Sequence, residues 1–381
     1  MKIVVDENIP YGNEAFSQLG EVVTLPGRAI AKADLMDAQA LMVRSITKVN
    51  ADLLEGTDIQ FVATATIGED HIDKPYLKSN NIGFSSAPGC NANSVGEYIA
   101  AALLHFAEKH SMDLTQASLG IIGVGNVGKK VLAKAKALGM RCILNDPPLA
   151  GETAEPIYRP LEEALACDFV TTHVPLSKDG PYPTFHLADQ AFFDAMGDDA
   201  IYLNSSRGAV ADNQALKATL KAGKLRDCLL DVWEGEPEPD MELVDLVEIA
   251  TPHIAGYSFD GKVDGTQQIY DAACRHFKIN KPWDPTPLLP EPECPALSID
   301  TPGHAGIHAA IRAVYEIMND DKDFRGLNDC PAEEHAVFFD QLRKNYPRRR
   351  EFQNTIVSLG DAAQGLAPTV DALGFRRNGS C

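Results

Sequence analysis

Three polar side chains stand immediately beyond short apolar runs in the second half of the chain. Arg207 follows IYLN in NSSRGAVAD, Glu236 follows CLLDV in DVWEGEPEP, and His253 follows VEIA in TPHIAG. An arginine, a carboxylate and a histidine together suit hydride transfer at a hydroxyl-bearing carbon next to a carboxylate. Arg207 can grip that carboxylate bidentately and polarise the oxygen on the reacting carbon. A histidine, with an unperturbed pKa of about 6.5, suits removal of the hydroxyl proton near neutrality. Glu236 beside it would orient the ring and favour its protonated form. Singly, such residues are solvated loop charges or a structural histidine; the chemistry lies in their joint placement past strand ends.

Hydride transfer needs an acceptor, and Gly123-Val124-Gly125-Asn126-Val127-Gly128 offers a place for one. This GxGxxG follows the apolar run LGIIGV and precedes the alanine-rich KKVLAKAKALGM, in the order strand, glycine turn, helix. Gly123 permits the tight turn, Gly125 lets backbone approach a pyrophosphate, and Gly128 lets the helix lie close to the sheet. The helix N-terminus then presents N–H groups and a partial positive charge to the anion. Asp146, at the end of the next strand in ILNDPP, would accept from ribose hydroxyls and repel a 2′-phosphate, which favours NAD over NADP.

The elements that must position these groups follow from periodicity. Residues 1 to 90 give KIVVD, EVVTL, ALMVRS, IQFVATAT and NIGFSSA, strand-like runs spaced for a parallel βα sheet. Next, Val95, Ile99, Ala102, Leu103 and Phe106 recur at helical spacing from Ser94 to about Ser111, with Ser94 expected as cap and Glu97 three residues on. Six further strand-like runs follow: SLGIIGV, RCILND, CDFVTTHV, AIYLNSS, DCLLDVW and VEIATPH, the strand count of a complete dinucleotide-binding sheet. GYSFDGKVDGTQQIYDAACRHFKI reads as a helix returning to the first domain, and the proline-rich tract 282–302 as linker or irregular wrap. Residues 303–381, with helices expected near AGIHAAIRAVYEIM and AEEHAVFFDQLRKN, read as an oligomerisation or lid element.

With 34 Lys+Arg against 54 Asp+Glu in 381 residues, the net charge of −20 argues against nucleic acid or an anionic membrane surface as partner. No run approaches the roughly 18 apolar residues of a bilayer span, and Asp6 and Glu7 interrupt any N-terminal signal core, so a cytoplasmic location is expected. Cys90, Cys142, Cys167, Cys228, Cys274, Cys294, Cys330 and Cys381 are scattered singly and read as reduced thiols. Cys90, near the presumed cleft, reads as a packed cysteine, since hydride transfer needs no nucleophile. His304 and His308 lack an acidic partner in an HExxH pattern and read as a surface helix, with no metal site expected.

In order and spacing, GVGNVG with Asp146, NSSRGAVAD, DVWEGEP and TPHIAG resemble the D-isomer-specific 2-hydroxyacid dehydrogenase family over about residues 40 to 260. KIVVDENIPYG, MVRSITKVNADLLEG, FVATATIGEDHID, SAPGCNANSVGEY, KDGPYPTFHLAD and HIAGYSFDGKVDGT extend the resemblance across nearly the whole chain, to a branch of vitamin B6 biosynthesis. The resemblance implies an α/β fold: two Rossmann-like parallel-sheet domains, with the active site in their cleft, and an extra C-terminal α+β dimerisation domain. The expected boundaries are 1–93 with 256–285 for the substrate-binding domain, 94–255 for the NAD-binding domain, and 286–381 for the C-terminal domain of a homodimer.

The implied activity is NAD-dependent oxidation of 4-phospho-D-erythronate to 2-oxo-3-hydroxy-4-phosphobutanoate, with Arg207, Glu236 and His253 as the catalytic trio. Ser45, Thr66 and Tyr257 would touch substrate. Gly123, Gly125, Asn126, Val127, Gly128, Asp146, Ser206, Arg207, Asp231 and Gly256 would touch NAD. In THVPL, Val174 stands where members often carry threonine, which removes a side-chain hydroxyl from the cofactor side. The alternatives are a dehydrogenase of another phosphorylated 2-hydroxy acid, such as 3-phosphoglycerate, and an NADH-sensing corepressor. The basic tract Arg343 to Arg350 reads most simply as a solvated face. Because an acidic protein needs a strong local cation for a phosphate, one of Arg348, Arg349 and Arg350, from either subunit, is a candidate to bind the 4-phosphate.

Overall fold

The computed structural model describes residues 1–153 and 157–378. The chain divides into two compact units, Met1–Asn91 with Ser258–Glu291, and Ala92–Tyr257 with Pro292–Cys381.

In the first unit, β1 (Lys2–Asp6), β2 (Glu21–Leu25), β3 (Ala40–Val43), β4 (Phe61–Thr64) and β5 (Gly83–Ser85) form one parallel sheet in the order β2-β1-β3-β4-β5. Each is one of the five expected runs. The central strands β3 and β4 are buried throughout, as strands covered on both faces must be. The helix Phe259–Phe277, capped by the Ser258 hydroxyl on the Gly261 N–H, packs on this sheet.

The second unit contains a six-stranded parallel sheet: β6 (Ser118–Ile122), β7 (Arg141–Asn145), β8 (Phe169–Thr172), β9 (Ile201–Asn204), β10 (Asp227–Leu230) and β11 (Ile249–Ala250). Its order is β11-β10-β9-β8-β6-β7. The chain reverses its direction of travel across the sheet between β6 and β8, so the glycine turn after β6 opens at a topological switch point. The alanine-rich segment forms the helix Asn126–Ala137, which buries Val131 and Ala135 against the sheet.

The long helix spans Ala92–His110. Ser94 lies inside it rather than capping it: its hydroxyl donates to the Ala255 carbonyl at 2.9 Å. The amphipathic pattern also understates its burial, since Gly96, Glu97, Tyr98, Ala100, Ala101 and Leu104 are buried as well. The reason is the C-terminal segment, whose helix Gly303–Val314 and Phe352 join the same apolar cluster.

That segment carries a third parallel sheet, β12 (Ala296–Ile299), β13 (Ile356–Leu359) and β14 (Arg376–Arg377), in the order β12-β13-β14. The proline-rich tract is therefore not wholly irregular: ALSI at its end pairs with IVSL. The helices Gly303–Val314 and His335–Lys344 fall where expected. His308 is buried and contacts Glu108, and His304 meets the Leu138 carbonyl at 2.9 Å, so the two histidines tie elements together instead of lining a surface. Among the described residues no helix is long and apolar enough to cross a membrane, and the seven described cysteines are free. Cys381 lies outside the described residues. Burial pushes the Cys90 thiol up to about 12, as befits a packed cysteine.

Candidate active site

Strands β9, β10 and β11 are successive neighbours, so the loops leaving their carboxyl ends are neighbours too. Arg207, Glu236 and His253 occupy those three loops. His253 Nδ1 lies 2.8 Å from Glu236 Oε2, and the other Glu236 oxygen accepts the Trp233 N–H at 3.1 Å. Burial would raise the Glu236 carboxyl, but the charge and hydrogen bond of His253, the Trp233 N–H and the Arg343 guanidinium hold it below its ordinary value. The two side chains remain 31% and 21% exposed, so both can be reached by a small molecule.

The backbone at His253 is left-handed, with φ of 58°, a conformation that costs a non-glycine residue energy and needs outside support. Asp231 provides it. Its carbonyl accepts the His253 N–H at 2.7 Å, and its buried carboxylate accepts the Ile254 N–H, the Ala255 N–H and the Thr251 hydroxyl at 2.7, 3.1 and 2.7 Å. Burial raises this carboxyl above its ordinary value. Asp231 thus holds the histidine loop, a role that the sequence reading, which gave it a cofactor contact, did not foresee. Gly256 and Tyr257 continue that loop.

Arg207 is held from two sides. Asn204 at the end of β9 donates to the Arg207 carbonyl at 3.1 Å and accepts the Ser206 N–H and hydroxyl, while Arg207 Nη1 donates to the Ser206 carbonyl at 2.8 Å. The next residue must be glycine, because a Cβ on Gly208 would sit 2.0 Å from the Trp233 carbonyl. This close approach locks the arginine loop onto the glutamate loop. Asn204, which sequence reasoning passed over, is the hinge of the arrangement; its only signal was a polar residue ending an apolar strand.

The glycine turn has the shape a dinucleotide requires. Gly123 is left-handed, with φ of 88° and no room for a side chain, and a Cβ on Gly128 would lie 2.1 Å from the Gly123 carbonyl. Gly125 differs: a Cβ there would meet nothing within 4 Å, so the open side of the turn faces the start of the helix. That helix begins at Asn126 and Val127 without a side-chain cap, leaving its first N–H groups for an anion. Asp146 accepts the Val124 N–H at 2.8 Å and the Leu149 N–H at 3.0 Å, which fixes its carboxylate beside the turn. Val174 packs in an apolar cluster, and its Cγ1 is among the atoms that a Cβ on Gly123 would strike. The residues present fit NAD.

In the first unit, Ser45 and Thr66 lie past the carboxyl ends of the paired strands β3 and β4. Ser45 is exposed, whereas the Thr66 hydroxyl donates to the Gly68 carbonyl at 3.0 Å and contacts the Thr64 hydroxyl. Beside Ser45, Arg44 has a buried Nη1 with no hydrogen-bond partner, a donor the sequence reading did not use. The basic tract is a solvated face only in part: Lys344 and Arg348 are exposed. Arg349 and Arg350 are buried; the Arg349 guanidinium lies 4.2 Å from the Tyr315 ring centre and donates to Ser94 and Ala255, and Arg350 donates to Asn354. Arg349 and Arg350 thus serve the fold, whereas Arg348, the third candidate for the phosphate, is exposed.

Residues 100–255 match the model of the D-isomer specific 2-hydroxyacid dehydrogenase NAD binding domain, and residues 288–374 match a domain of unknown function. Over 377 residues, 98% of each chain, the sequence is 46% identical to the erythronate-4-phosphate dehydrogenase of Shigella boydii serotype 4. The chain belongs to the erythronate-4-phosphate dehydrogenases of the D-isomer-specific 2-hydroxyacid dehydrogenase family. A second member of the branch, from Escherichia coli O1:K1, is 45% identical over the same share of both chains. Members are NAD-dependent oxidoreductases of a CH–OH group, and so is this chain. Among solved structures, a D-lactate dehydrogenase of Treponema pallidum superposes with a TM-score of 0.60 at 25% identity, covering 74% of this chain and 98% of its own. The NAD-bound 3-phosphoglycerate dehydrogenase of Entamoeba histolytica gives 0.62 at 23% identity, with the same coverage. A quarter of the chain therefore has no counterpart in either fold relative.

Proposed function

We propose that the protein oxidises 4-phospho-D-erythronate at C2 to 2-oxo-3-hydroxy-4-phosphobutanoate, on the route to pyridoxal 5′-phosphate. The observation that carries this reading is the His253–Glu236 pair at 2.8 Å, set beside the Arg207 loop in a chain so similar to erythronate-4-phosphate dehydrogenases over its whole length. Bound NAD supplies the acceptor for the C2 hydride. Gly125 to Gly128, Asp146, Ser206, Asp231 and Gly256 would hold it.

The chemistry of this chain's own residues follows from the hydrogen bonds. Glu236 engages Nδ1 of His253, which leaves Nε2 as the nitrogen that takes the C2 hydroxyl proton. As that proton arrives the ring becomes cationic, and the ionised Glu236 stabilises it. Arg207 holds the substrate carboxylate and polarises the C2 oxygen as it becomes a carbonyl. Ser45, Thr66 and Tyr257 are assigned to the rest of the substrate. The working form is a cytoplasmic homodimer, with residues 286–381 as its dimerisation domain; the other two domains are 1–93 with 256–285, and 94–255.

Initial rates of NAD reduction with 4-phospho-D-erythronate and with 3-phosphoglycerate test the assignment. A clear preference for the four-carbon substrate supports it; equal rates, or preference for 3-phosphoglycerate, reject it.

A further inference from the structure

One cation from the C-terminal segment reaches the catalytic loops. Arg343 lies near the end of the helix His335–Lys344, with its guanidinium carbon 5.5 Å from the Tyr257 ring centre and 5.9 Å from that of Phe339. Tyr346 from the same segment packs edge-on against Tyr257, with ring centres 5.8 Å apart, and is itself tied by its hydroxyl to Asp320. Tyr257 is therefore gripped on its face and its edge by residues outside the dinucleotide-binding sheet. Buried Arg343 Nε has no hydrogen-bond partner, although such a donor is costly to leave unsatisfied. Burial opposes its charge, but Tyr257 and Glu236 raise its pKa above the ordinary value.

We propose that Arg343, presented beside Tyr257, is the group that recognises the phosphate of the substrate, so that the C-terminal segment supplies substrate specificity. The inference rests on the functional reading above. A guanidinium offers a planar fork of donors matched to phosphate oxygens, and a fixed tyrosine hydroxyl beside it adds one more. The phosphate would then meet the Arg343 guanidinium. Placement fits as well: Arg207 already serves the carboxylate end, and Arg343 approaches from the Glu236 and Tyr257 side. Residues 288–374, which contain Arg343, match a model separate from the dehydrogenase domain.

The test compares full-length wild type with Arg343→Gln and Arg343→Lys on two substrates, 4-phospho-D-erythronate and unphosphorylated D-erythronate. Arg343→Gln is expected to raise KM for the phosphorylated substrate about tenfold or more, the loss of a charge-assisted contact, while kcat/KM for D-erythronate falls far less and NAD titration is unchanged. Arg343→Lys, which keeps a point charge without the fork, should fall between and carries the test if Arg343→Gln does not fold. Equal losses on both substrates, or a kcat loss with a shifted acid limb of the pH profile, would show that Arg343 acts only through Glu236 and overturn the proposal. An active wild type with unaltered variants overturns this inference alone, whereas a wild type inert toward 4-phospho-D-erythronate overturns the functional reading and this inference with it.

Discussion

His253 Nδ1 and Glu236 Oε2 stand 2.8 Å apart, although they are seventeen positions apart in sequence, and the geometry is enforced by neighbours that take no part in the chemistry. Asp231 fixes the left-handed backbone of His253, and the Trp233 N–H fixes Glu236 from the other side. The pair consequently has one ring tautomer and one orientation. Two further residues join the arginine loop to the same framework, Asn204 through the Arg207 carbonyl and Gly208 through its close approach to Trp233.

Replacement of either partner should separate their roles. His253→Ala is expected to lower kcat by about 10² or more through loss of the general base, with NAD titration and circular dichroism unchanged. Glu236→Gln retains a hydrogen-bonding group but no charge, and should lower kcat by about tenfold or more. Its stability effect has a defined sign. The Glu236 carboxyl lies below its ordinary value of 4.5, so its contribution is fully present above pH 4.5 and is lost as pH falls through the lower folded value. Glu236→Gln should lack that portion of acid sensitivity in urea unfolding. Near-normal turnover of His253→Ala would remove the histidine from the mechanism.

Gly125 separates cofactor binding from folding. Since a side chain there meets nothing within 4 Å, Gly125→Val should unfold at nearly the wild-type urea concentration yet bind NAD about tenfold more weakly, a cost of about 1.4 kcal/mol. Fluorescence titration with NAD and a urea melt together check this. Unchanged NAD affinity would place the pyrophosphate elsewhere.

The buried cluster beneath the site makes stability depend on pH. Glu97 in the long helix accepts from Asn93 and from the Phe352 N–H, while its second oxygen has no partner. Burial first, and then Glu351, push its carboxyl up to about 8 from an ordinary 4.5. Between those values the folded protein keeps a proton that the unfolded chain has lost. The contribution is present in full below pH 4.5 and is lost as pH rises through 8. Glu97→Gln should be free of this loss, so its stability relative to wild type should increase from pH 5 to pH 8 in urea melts. Parallel pH dependence in the two proteins would contradict the assignment.

Much of this was legible in the residues. Eleven apolar runs became the eleven strands of two parallel sheets because both faces of such sheets are buried, so continuous Val, Ile and Leu runs mark them plainly. The trio was legible because each member follows such a run. The C-terminal segment was harder to read. Its strand ALSI alternates with an exposed edge, and β14 is only two residues long. The basic tract misled for a different reason: a run of arginines marks a solvated face unless carbonyls, carboxylates and aromatic rings close over it. Ser94, Ala255 and Tyr315, all distant in sequence, do that for Arg349. The same blindness to distant partners hid Asp231 as the support of His253.

Hydride transfer from C2 is most directly tested with 4-phospho-D-erythronate carrying deuterium at C2, by mass spectrometry of the reduced cofactor after turnover in ordinary water. One deuterium per reduced cofactor is expected, with none entering from solvent when the unlabelled substrate is run in heavy water. Reduced cofactor without the C2 deuterium would contradict hydride transfer from that carbon, and with it the roles given to Arg207, Glu236 and His253.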